Sequence, residues 1–124
     1  MREYKFRIFD TVENIYVNIK DFHLVFDLYG KLIAEPKEYV IGYKNRYTLE
    51  QYTGLKDKNG VEIYEGDVMA VKDSMENATL NCKVQFESGS FKAIPLEDGD
   101  LAYIMYYASQ NGEIIGNVHE EAQE

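Results

Sequence analysis

Residues 51–67 constrain the fold of this chain more than any other stretch, because several of them specify backbone geometry. The run contains three glycines and an Asn-Gly pair, with apolar residues spaced between them. Glycine reaches positive φ without steric cost, so each glycine predicts a sharp turn. The Asn-Gly pair supplies the two positive-φ residues of a type I′ hairpin turn, and the acidic residue after the last glycine can bond the backbone of its own turn. We assign this structural turn motif to Gly54, Asn59, Gly60, Gly66 and Asp67.

The length and composition of the chain favour one domain rich in β structure. A chain of 124 residues can bury a core of its own, and we interpret residues 1–124 as a single domain. Eleven tyrosines, no tryptophan and only two prolines favour strands, since aromatic side chains suit a pleated, half-buried surface. The patterns allow a division into a tyrosine-rich lobe over 1–50, a barrel-like lobe over 51–118 and an acidic tail over 119–124.

Alternation of apolar and polar residues predicts short antiparallel strands. The pattern is clearest over residues 80–86, where apolar side chains take every second position. Similar patterns predict a first hairpin from residues 2–9 and 15–19, and a second from 39–43 and 47–51. In the second hairpin we expect cross-strand packing, rather than a ligand-stacking platform, among Tyr39, Tyr43, Tyr47 and Tyr52.

Two segments fit both a helix and a strand. The run Phe22 to Phe26 is too short for periodicity to distinguish a strand from a helical turn, and we interpret it as a strand. Residues 101–109 fit a helical stripe after an Asp100 N-cap and also one face of a strand. The turn signal at 110–112 favours the strand, which residues 114–118 would pair with.

These elements predict a mostly β fold: a single domain of short antiparallel strands with at most one short helix. The strands and turns between residues 62 and 94 have the scale of an SH3-like barrel, which we expect in the C-terminal half. Such barrels serve as protein, peptide or nucleic-acid adaptors, so the fold alone does not decide the function.

The charge of the chain is unevenly placed. Residues 1–62 hold ten basic and ten acidic residues, whereas residues 63–124 hold three lysines and twelve acidic residues and so carry all of the net charge of −9. An acidic surface repels phosphate backbones, which favours a protein partner with basic patches over nucleic acid. The single Cys82 forms no internal disulfide, and the sequence shows no signal peptide and no apolar run of bilayer length. We therefore expect a cytoplasmic protein.

No pattern in the sequence predicts catalysis, a metal site or a cofactor. His23 and His119 lie far apart, and one cysteine adds no cluster, so zinc is not expected. Cys82 falls in phase with its apolar neighbours and is interpreted as a small buried hydrophobe. Acidic residues are numerous, but nothing places two of them across a cleft, and no Gly-x-Ser-x-Gly, Walker loop or dinucleotide fingerprint occurs. We expect that this protein is not an enzyme.

Three blocks of the sequence resemble the YopX family: MREYKFR at 1–7, QYTGLKDKNGVEIYEGD at 51–67 and IGNVHE at 115–120. They stand in the family's order, although residues 8–50 carry no family signature. Val118-His119 stands where a more apolar or aromatic pair is common. The resemblance implies a small, mostly β, cytoplasmic protein encoded by phages or prophages of Gram-positive bacteria. It implies no activity, so no catalytic residue is carried over.

The combined expectation is a phage or prophage accessory protein that binds another protein, from phage or host. Its candidate partner-binding residues are the polar, exposed edge of the motif: Lys56, Asp57 and Lys58. The alternative is a nucleic-acid-binding module that uses the charge-neutral N-terminal half, where tyrosines can stack on bases. A homo-oligomer is also expected, since β domains of this size leave strand edges to cover or pair.

Overall fold

The computed structural model describes residues 4–97 and 102–121, and β-strands make up most of this backbone. The strands are β1 (Phe6–Asp10), β2 (Ile15–Val17), β3 (Phe22–Phe26), β4 (Leu32–Pro36), β5 (Tyr47–Lys56), β6 (Glu62–Tyr64), β7 (Asp67–Asp73), β8 (Ala78–Glu87), β9 (Ser90–Pro95), β10 (Tyr103–Ile104) and β11 (Gly112–Asn117). The helices are α1 (Met105–Asn111) and α2 (Val118–Glu121), with 3-10 turns at Ile19–Asp21 and Tyr43–Asn45. The prediction of a mostly β fold of short antiparallel strands is confirmed.

The chain divides into two compact units. Residues 5–51 form the N-terminal unit, and residues 52–124 together with 1–4 form the C-terminal unit. Strand β5 is continuous across the boundary: its first half pairs with β1, and its second half pairs with β6. This boundary lies one residue beyond the end of the lobe over 1–50 that the sequence suggests.

The N-terminal unit contains two small antiparallel sheets. In the first, β1 lies between β2 and the first half of β5, so that Ile8 stands opposite both Val17 and Leu49. Ile8 and Phe9 are buried in this sheet. In the second sheet β3 pairs with β4 alone. The interpretation of residues 22–26 as a strand is therefore confirmed.

The predicted hairpin from residues 39–43 and 47–51 is wrong. Residues 37–46 form bends and a 3-10 turn, and β5 pairs with β1 instead. Gly42 has a φ of 74°, a left-handed conformation that interrupts an extended strand. The alternation of apolar residues in this segment therefore does not reflect a buried strand face.

The four tyrosines do not pack together as expected, because the hairpin that would have brought them together is not formed. Tyr47 contacts Phe22 edge to face, with 4.7 Å between the ring centroids. Tyr52 lies opposite Tyr64 across the β5–β6 pair. Tyr39 is exposed, so the four rings do not form one cross-strand set.

The C-terminal unit is built on a five-stranded antiparallel half-barrel with the strand order β10-β9-β8-β7-β11. The alternation predicted for β8 places Cys82 and Val84 inward. Helix α1 adds two further buried side chains to the same core. The buried core cluster consists of Ile63, Met69, Val71, Cys82, Val84, Phe91, Ala93, Met105 and Ala108.

The preference for a strand over residues 101–109 is wrong beyond Ile104, because α1 begins at Met105. Met105 and Ala108, three residues apart, both face the core, so burial selects the helical alternative. The expected Asp100 N-cap lies outside the described residues, and the residue before α1 makes no side-chain cap. Strand β11 pairs with β7 and not with residues 101–109.

The helices of this fold are short. Among residues 4–97 and 102–121, no helix combines the length and apolar character needed to cross a bilayer. The acidic tail expected over 119–124 belongs to α2 as far as residue 121, and residues 122–124 lie outside the described part of the chain.

Candidate functional site

The glycines of the turn motif occupy three different backbone features. Gly54, Gly60 and Gly66 all have positive φ, between 84° and 91°. Gly54 lies inside β5, where the pairing with β6 shifts register, so it forms a bulge and not a turn. Gly66 ends the turn between β6 and β7: its N–H donates to the carbonyl of Val84, and its own carbonyl accepts the N–H of Val118.

The prediction of a type I′ turn at Asn59-Gly60 is wrong. Gly60 has positive φ but Asn59 does not. The Gly60 N–H donates to the Asp57 carbonyl, and the Asp57 N–H donates to the Val61 carbonyl, which is a type I turn followed by a glycine bulge. A two-residue turn with both φ positive occurs instead at Ser88-Gly89, between β8 and β9.

Asp57 determines this geometry through its carboxylate. One carboxylate oxygen accepts the backbone N–H of Asn59 and of Val61, both at 2.9 Å. The other accepts the N–H of Ile114 in β11, also at 2.9 Å. Burial raises the pKa of the Asp57 carboxyl, but the hydrogen bonds from these three N–H groups together outweigh it and hold the pKa below its usual range.

The expectation that Asp57 belongs to an exposed partner-binding edge is therefore wrong: it is only 6% exposed. Its carboxylate binds backbone and ties the 57–61 turn to β11. Lys56 and Lys58 do have exposed side chains, and their role in partner binding stays a prediction. Their backbones are fixed as well, since the Ser109 hydroxyl donates to the Lys56 carbonyl at 2.6 Å and the Lys58 N–H donates to the carbonyl of Gly112 at 3.1 Å.

Asp67 behaves as the sequence suggests. It is buried, and its carboxylate accepts the backbone N–H of Tyr64 at 2.8 Å, within the turn that joins β6 to β7. Asn59 is exposed, and its side-chain amide donates to Glu113 in β11 at 3.1 Å. The motif therefore acts as a structural device of the C-terminal unit.

The N-terminal unit contains two buried carboxylates, each paired with an arginine. Arg46 makes a two-pronged contact with Asp10, through nitrogen-to-oxygen distances of 2.9 and 2.8 Å. The hydrogen bonds from the Arg46 side chain hold the pKa of the Asp10 carboxyl below its usual range. Glu50 accepts the Arg7 guanidinium at 2.7 Å and the Tyr16 hydroxyl at 2.9 Å. These contacts give both buried carboxylates a charged partner within the unit.

The two most exposed large apolar side chains among the described residues lie where β3 turns into β4, next to a third exposed apolar side chain. Leu28 is 100% exposed, Tyr29 is 95% exposed and Phe26 is 72% exposed. We call these three residues the hairpin tip. Hydrogen bonds hold the turn beneath them, because the Asp27 carboxylate accepts the N–H groups of Tyr29 and Lys31, both at 2.9 Å. The hairpin tip is therefore presented to solvent on a fixed turn.

An open cavity of about 490 Å³ lies beside the hairpin tip. Its lining includes Val25 and Ile33 from facing positions of β3 and β4, and Tyr43, whose hydroxyl donates to Glu35 at 3.4 Å. Burial raises the pKa of the Tyr43 hydroxyl, and the nearby Glu35 carboxylate raises it further by a smaller amount. The remaining lining mixes apolar side chains with charged ones, including Asp27 and Lys31.

Comparison with known proteins decides the family of this chain. The family model described as YopX protein matches residues 5–123. The chain belongs to the YopX family. No curated protein matches it. The resemblance carried by the three sequence blocks is thereby confirmed.

Two solved structures share the fold of this YopX-family chain. Protein EF1440 from Enterococcus faecalis is 26% identical, with a TM-score of 0.62, and the match covers 99% of this chain and 98% of that one. The protein yopX from Bacillus subtilis is 18% identical, with a TM-score of 0.60, and the match covers 97% and 95%. Neither description assigns an activity.

The described residues of this YopX-family chain contain no cluster of three or more His, Cys, Asp or Glu side chains suited to a metal ion. Cys82 lies in the core, and burial raises the pKa of its thiol to about 11. A thiol with such a pKa stays protonated at neutral pH, and the thiolate is the reactive form. Cys82 thus has the environment of a core residue.

Sequence reasoning missed a polar cluster that secures the loop after β7. The buried Asp73 carboxylate accepts the Tyr103 hydroxyl at 2.7 Å and the N–H of Met75 at 2.9 Å. The Tyr107 hydroxyl donates to the Lys72 carbonyl at 2.7 Å. Burial and the Asp73 contact raise the pKa of Tyr103 to about 12. The position of Asp73 at the start of a polar loop could have indicated that its side chain bonds the loop backbone. Its partner Tyr103 lies 30 residues away, and no local pattern connects the two.

Proposed function

We propose that this YopX-family chain is a non-enzymatic phage or prophage accessory protein that acts in the host cytoplasm by binding another protein. The observation that carries the proposal is the exposed hairpin tip. A contiguous exposed apolar patch marks a site of association, whereas apolar residues exposed singly need no explanation, and the three residues of the hairpin tip follow one another closely along the chain. Its non-enzymatic part rests on the sequence, which lacks the patterns typical of catalytic sites.

The charge of the chain favours a partner with basic surface. Residues 52–124 hold fourteen acidic residues and five lysines, whereas residues 5–51 hold seven of each sign. The negative charge of the chain raises the rate at which a basic partner meets it, because opposite charges attract over long range. Association with such a partner slows as salt is added, because screening weakens the attraction.

Capture of partners from host cells during phage growth tests the proposal. Purified chain is immobilised beside a variant with Leu28→Ser and Tyr29→Ser and a control with Met75→Ser. Met75 is 94% exposed but lies in the C-terminal unit. We expect the wild type and the Met75 variant to retain the same protein and the double variant to lose it. Equal retention by all three, or no specific retention by folded wild type, contradicts the proposal.

A nucleic-acid-binding module is the second candidate, and one observation favours it. Tyr29 and Tyr39 expose most of their rings, and no ion pair engages the ammonium groups of Lys31 and Lys44 among the described residues. Exposed rings can stack on single-stranded bases, and lysines of the same unit can contact the phosphates. A filter-binding titration at low salt decides this, and absence of retention for single- and double-stranded DNA and RNA rejects it.

A further inference from the structure

The hairpin formed by β3 and β4 is a two-stranded sheet, and its outer edges differ. Asp27 and Lys31 form the hydrogen-bonded pair next to the turn, with the Asp27 N–H donating to the Lys31 carbonyl at 2.8 Å. In an antiparallel pair, hydrogen-bonded and non-hydrogen-bonded positions alternate. The backbone groups of Leu24 and Phe26 therefore point away from β4.

These outward groups have no hydrogen-bond partner within the described residues. The N–H of the preceding outward residue, Phe22, donates to the carbonyl of Ile19, so it is already satisfied. Leu24 and Phe26 have no such contact. Strand β3 thus offers two unpaired donors and two unpaired acceptors, the arrangement that another strand recognises.

The opposite edge, on β4, is protected at two of its three outward positions. Pro36 occupies one of its outward positions and has no N–H to offer, as is typical of a blunted edge. Ala34, at the next outward position, is buried and lines a cavity of about 200 Å³ together with Tyr47 and Leu49 of the same unit. The open edge of this hairpin is consequently β3.

We propose that β3 pairs with β3 of a second copy of this chain, antiparallel and about a two-fold axis, to form a four-stranded sheet. The register that uses both open residues places Leu24 opposite Phe26 of the other copy. Each such pair exchanges two N–H···O bonds, so the interface gains four. This inference goes beyond the proposed function, which does not require self-association.

Side chains fit this register on both faces of the new sheet. The exposed Phe26 ring packs on Leu24 of the second copy, which removes apolar surface from water. Val25 lies on the two-fold axis and faces its own equivalent. His23, which is exposed, stands opposite Asp27 of the second copy, where an imidazole N–H can donate to the carboxylate.

The charges of the chain favour this contact over one between C-terminal units. The N-terminal unit has equal numbers of acidic and basic residues, so two copies meet without net repulsion, whereas the C-terminal unit carries the entire net charge. Two hairpins also gain stability by pairing with each other. A two-stranded sheet alone is only marginally stable, whereas a four-stranded sheet with an apolar face is stable. A self-complementary edge is what an isologous dimer requires.

A cysteine at the axis tests the register directly. In a non-hydrogen-bonded antiparallel pair the two Cα atoms lie about 4.5 Å apart, within the range of a disulfide. Under mild oxidation we expect Val25→Cys to convert mostly to a covalent dimer. Leu24→Cys and Phe26→Cys should cross-link to a far smaller extent, because each lies diagonally from its own equivalent at about 7–8 Å. Cys82 is buried, so the otherwise unchanged chain serves as the uncross-linked control.

Edge substitutions test the backbone contacts in the reduced protein. Phe26→Pro removes an outward N–H without removing a bond to β4, and Phe26→Ala removes the ring alone. We expect the dimer dissociation constant to rise with both, and by at least about tenfold more with proline, because two interface bonds are lost. Leu32→Pro, which removes an outward N–H on the β4 edge, should leave the constant close to that of wild type. Circular dichroism confirms that each variant is folded.

Light scattering and sedimentation of wild type complete the test. A dimer mass together with selective cross-linking through Val25→Cys supports the inference. A monomer mass up to the solubility limit, or a dimer in which that variant does not cross-link and Phe26→Pro has no effect, overturns it. A monomeric wild type leaves the proposed protein-binding function intact, because that function is judged by capture of a different protein.

Discussion

The C-terminal unit buries nine apolar side chains in one cluster, whereas the N-terminal unit buries only Ile8, Phe9 and Ala34 among its apolar residues. Among the described residues, nine large apolar side chains are exposed in the N-terminal unit and eight in the C-terminal unit, although the N-terminal unit is the shorter of the two. The charges differ as well, with neutrality in one unit and all of the net charge in the other. One unit is thus organised around a core, and the other presents apolar surface to solvent.

The difference predicts which residues determine stability and which, under the proposed function, determine association. The C-terminal unit uses its distinctive residues, including the turn motif, for internal hydrogen bonds. The N-terminal unit relies on paired charges and leaves its apolar residues available. We therefore expect substitutions in the motif to change stability and substitutions at the hairpin tip to change association.

The largest stability change is expected for Asp57→Ala. The alanine leaves the N–H groups of Asn59, Val61 and Ile114 without their acceptor, which should lower the free energy of unfolding by about 3 kcal/mol. Asp57→Asn should lose less, because an amide oxygen can keep the turn bonds while its nitrogen cannot accept from Ile114. Urea denaturation measures both, and Lys58→Ala is the neighbouring control, with an expected change within about 0.5 kcal/mol.

The pH dependence of stability sharpens the same prediction. The pKa of Asp57 is lowered in the folded chain, so its contribution is present above the ordinary carboxyl pKa of 3.8 and is lost as the pH falls through the folded-state value. Asp57→Ala should therefore show a smaller loss of stability than wild type between neutral and acidic pH. If Asp57→Ala and wild type lost equal stability between neutral and acidic pH, the Asp57 carboxylate would not stabilise the fold.

The next largest effect is expected in the N-terminal unit, for Arg46→Ala. Asp10 would keep the N–H groups of Val12 and Glu13 but lose both guanidinium bonds, leaving a buried charge without its partner. The Arg46 side chain is 24% exposed, so water compensates in part, and we expect a loss of about 2 kcal/mol. Lys44→Ala, which removes an exposed cation nearby, is the control.

Urea denaturation with hydrogen exchange in each unit checks this result. Faster exchange should appear in β1 and the start of β5, and amides of the half-barrel should be affected less. A loss for Arg46→Ala that exceeds the loss for Asp57→Ala would break the comparison, because the N-terminal unit would then be the more tightly specified of the two.

Local patterns in the sequence were sufficient to predict strands with a clear apolar pattern of their own. The strict alternation of β8 could be recognised because each inward residue repeats at every second position, and β3 could be recognised as a short apolar run. The segment around Gly42 misled the same reasoning, since its alternating residues lie in bends and a 3-10 turn. Periodicity reports a possible buried face, and it does not report whether anything covers that face.

Such patterns could not predict contacts between residues that lie far apart in the sequence. The role of Asp57 depends on Ile114, 57 positions away, and no spacing rule connects them. The same holds for α1, because residues 101–109 fit two periods and only burial of Met105 and Ala108 selects the helix. The glycines of the motif were recognised, but the side chain that fixes their turn was taken for an exposed one.

A smaller effect is expected for Tyr103→Phe in the C-terminal unit. The substitution removes one hydroxyl that donates to the Asp73 carboxylate at 2.7 Å and keeps the ring stacked on Tyr107. We expect a loss of about 1 kcal/mol in urea denaturation, since Asp73 retains its backbone donors. Tyr106→Phe is the matched control, because that ring is exposed. Equal effects of the two substitutions would show that the buried cluster adds no stability.

The smallest stability change is expected at the hairpin tip, and it completes the comparison. Leu28 and Tyr29 bury almost no surface, so replacing both by serine should change the free energy of unfolding by less than about 0.5 kcal/mol. The turn should persist, because the Asp27 carboxylate and its backbone donors are unchanged. The same variant should lose the captured partner, so that stability and association separate within one protein. A marked loss of stability would mean that these side chains pack in the folded chain, and the N-terminal unit would then resemble the C-terminal unit in what its apolar residues do.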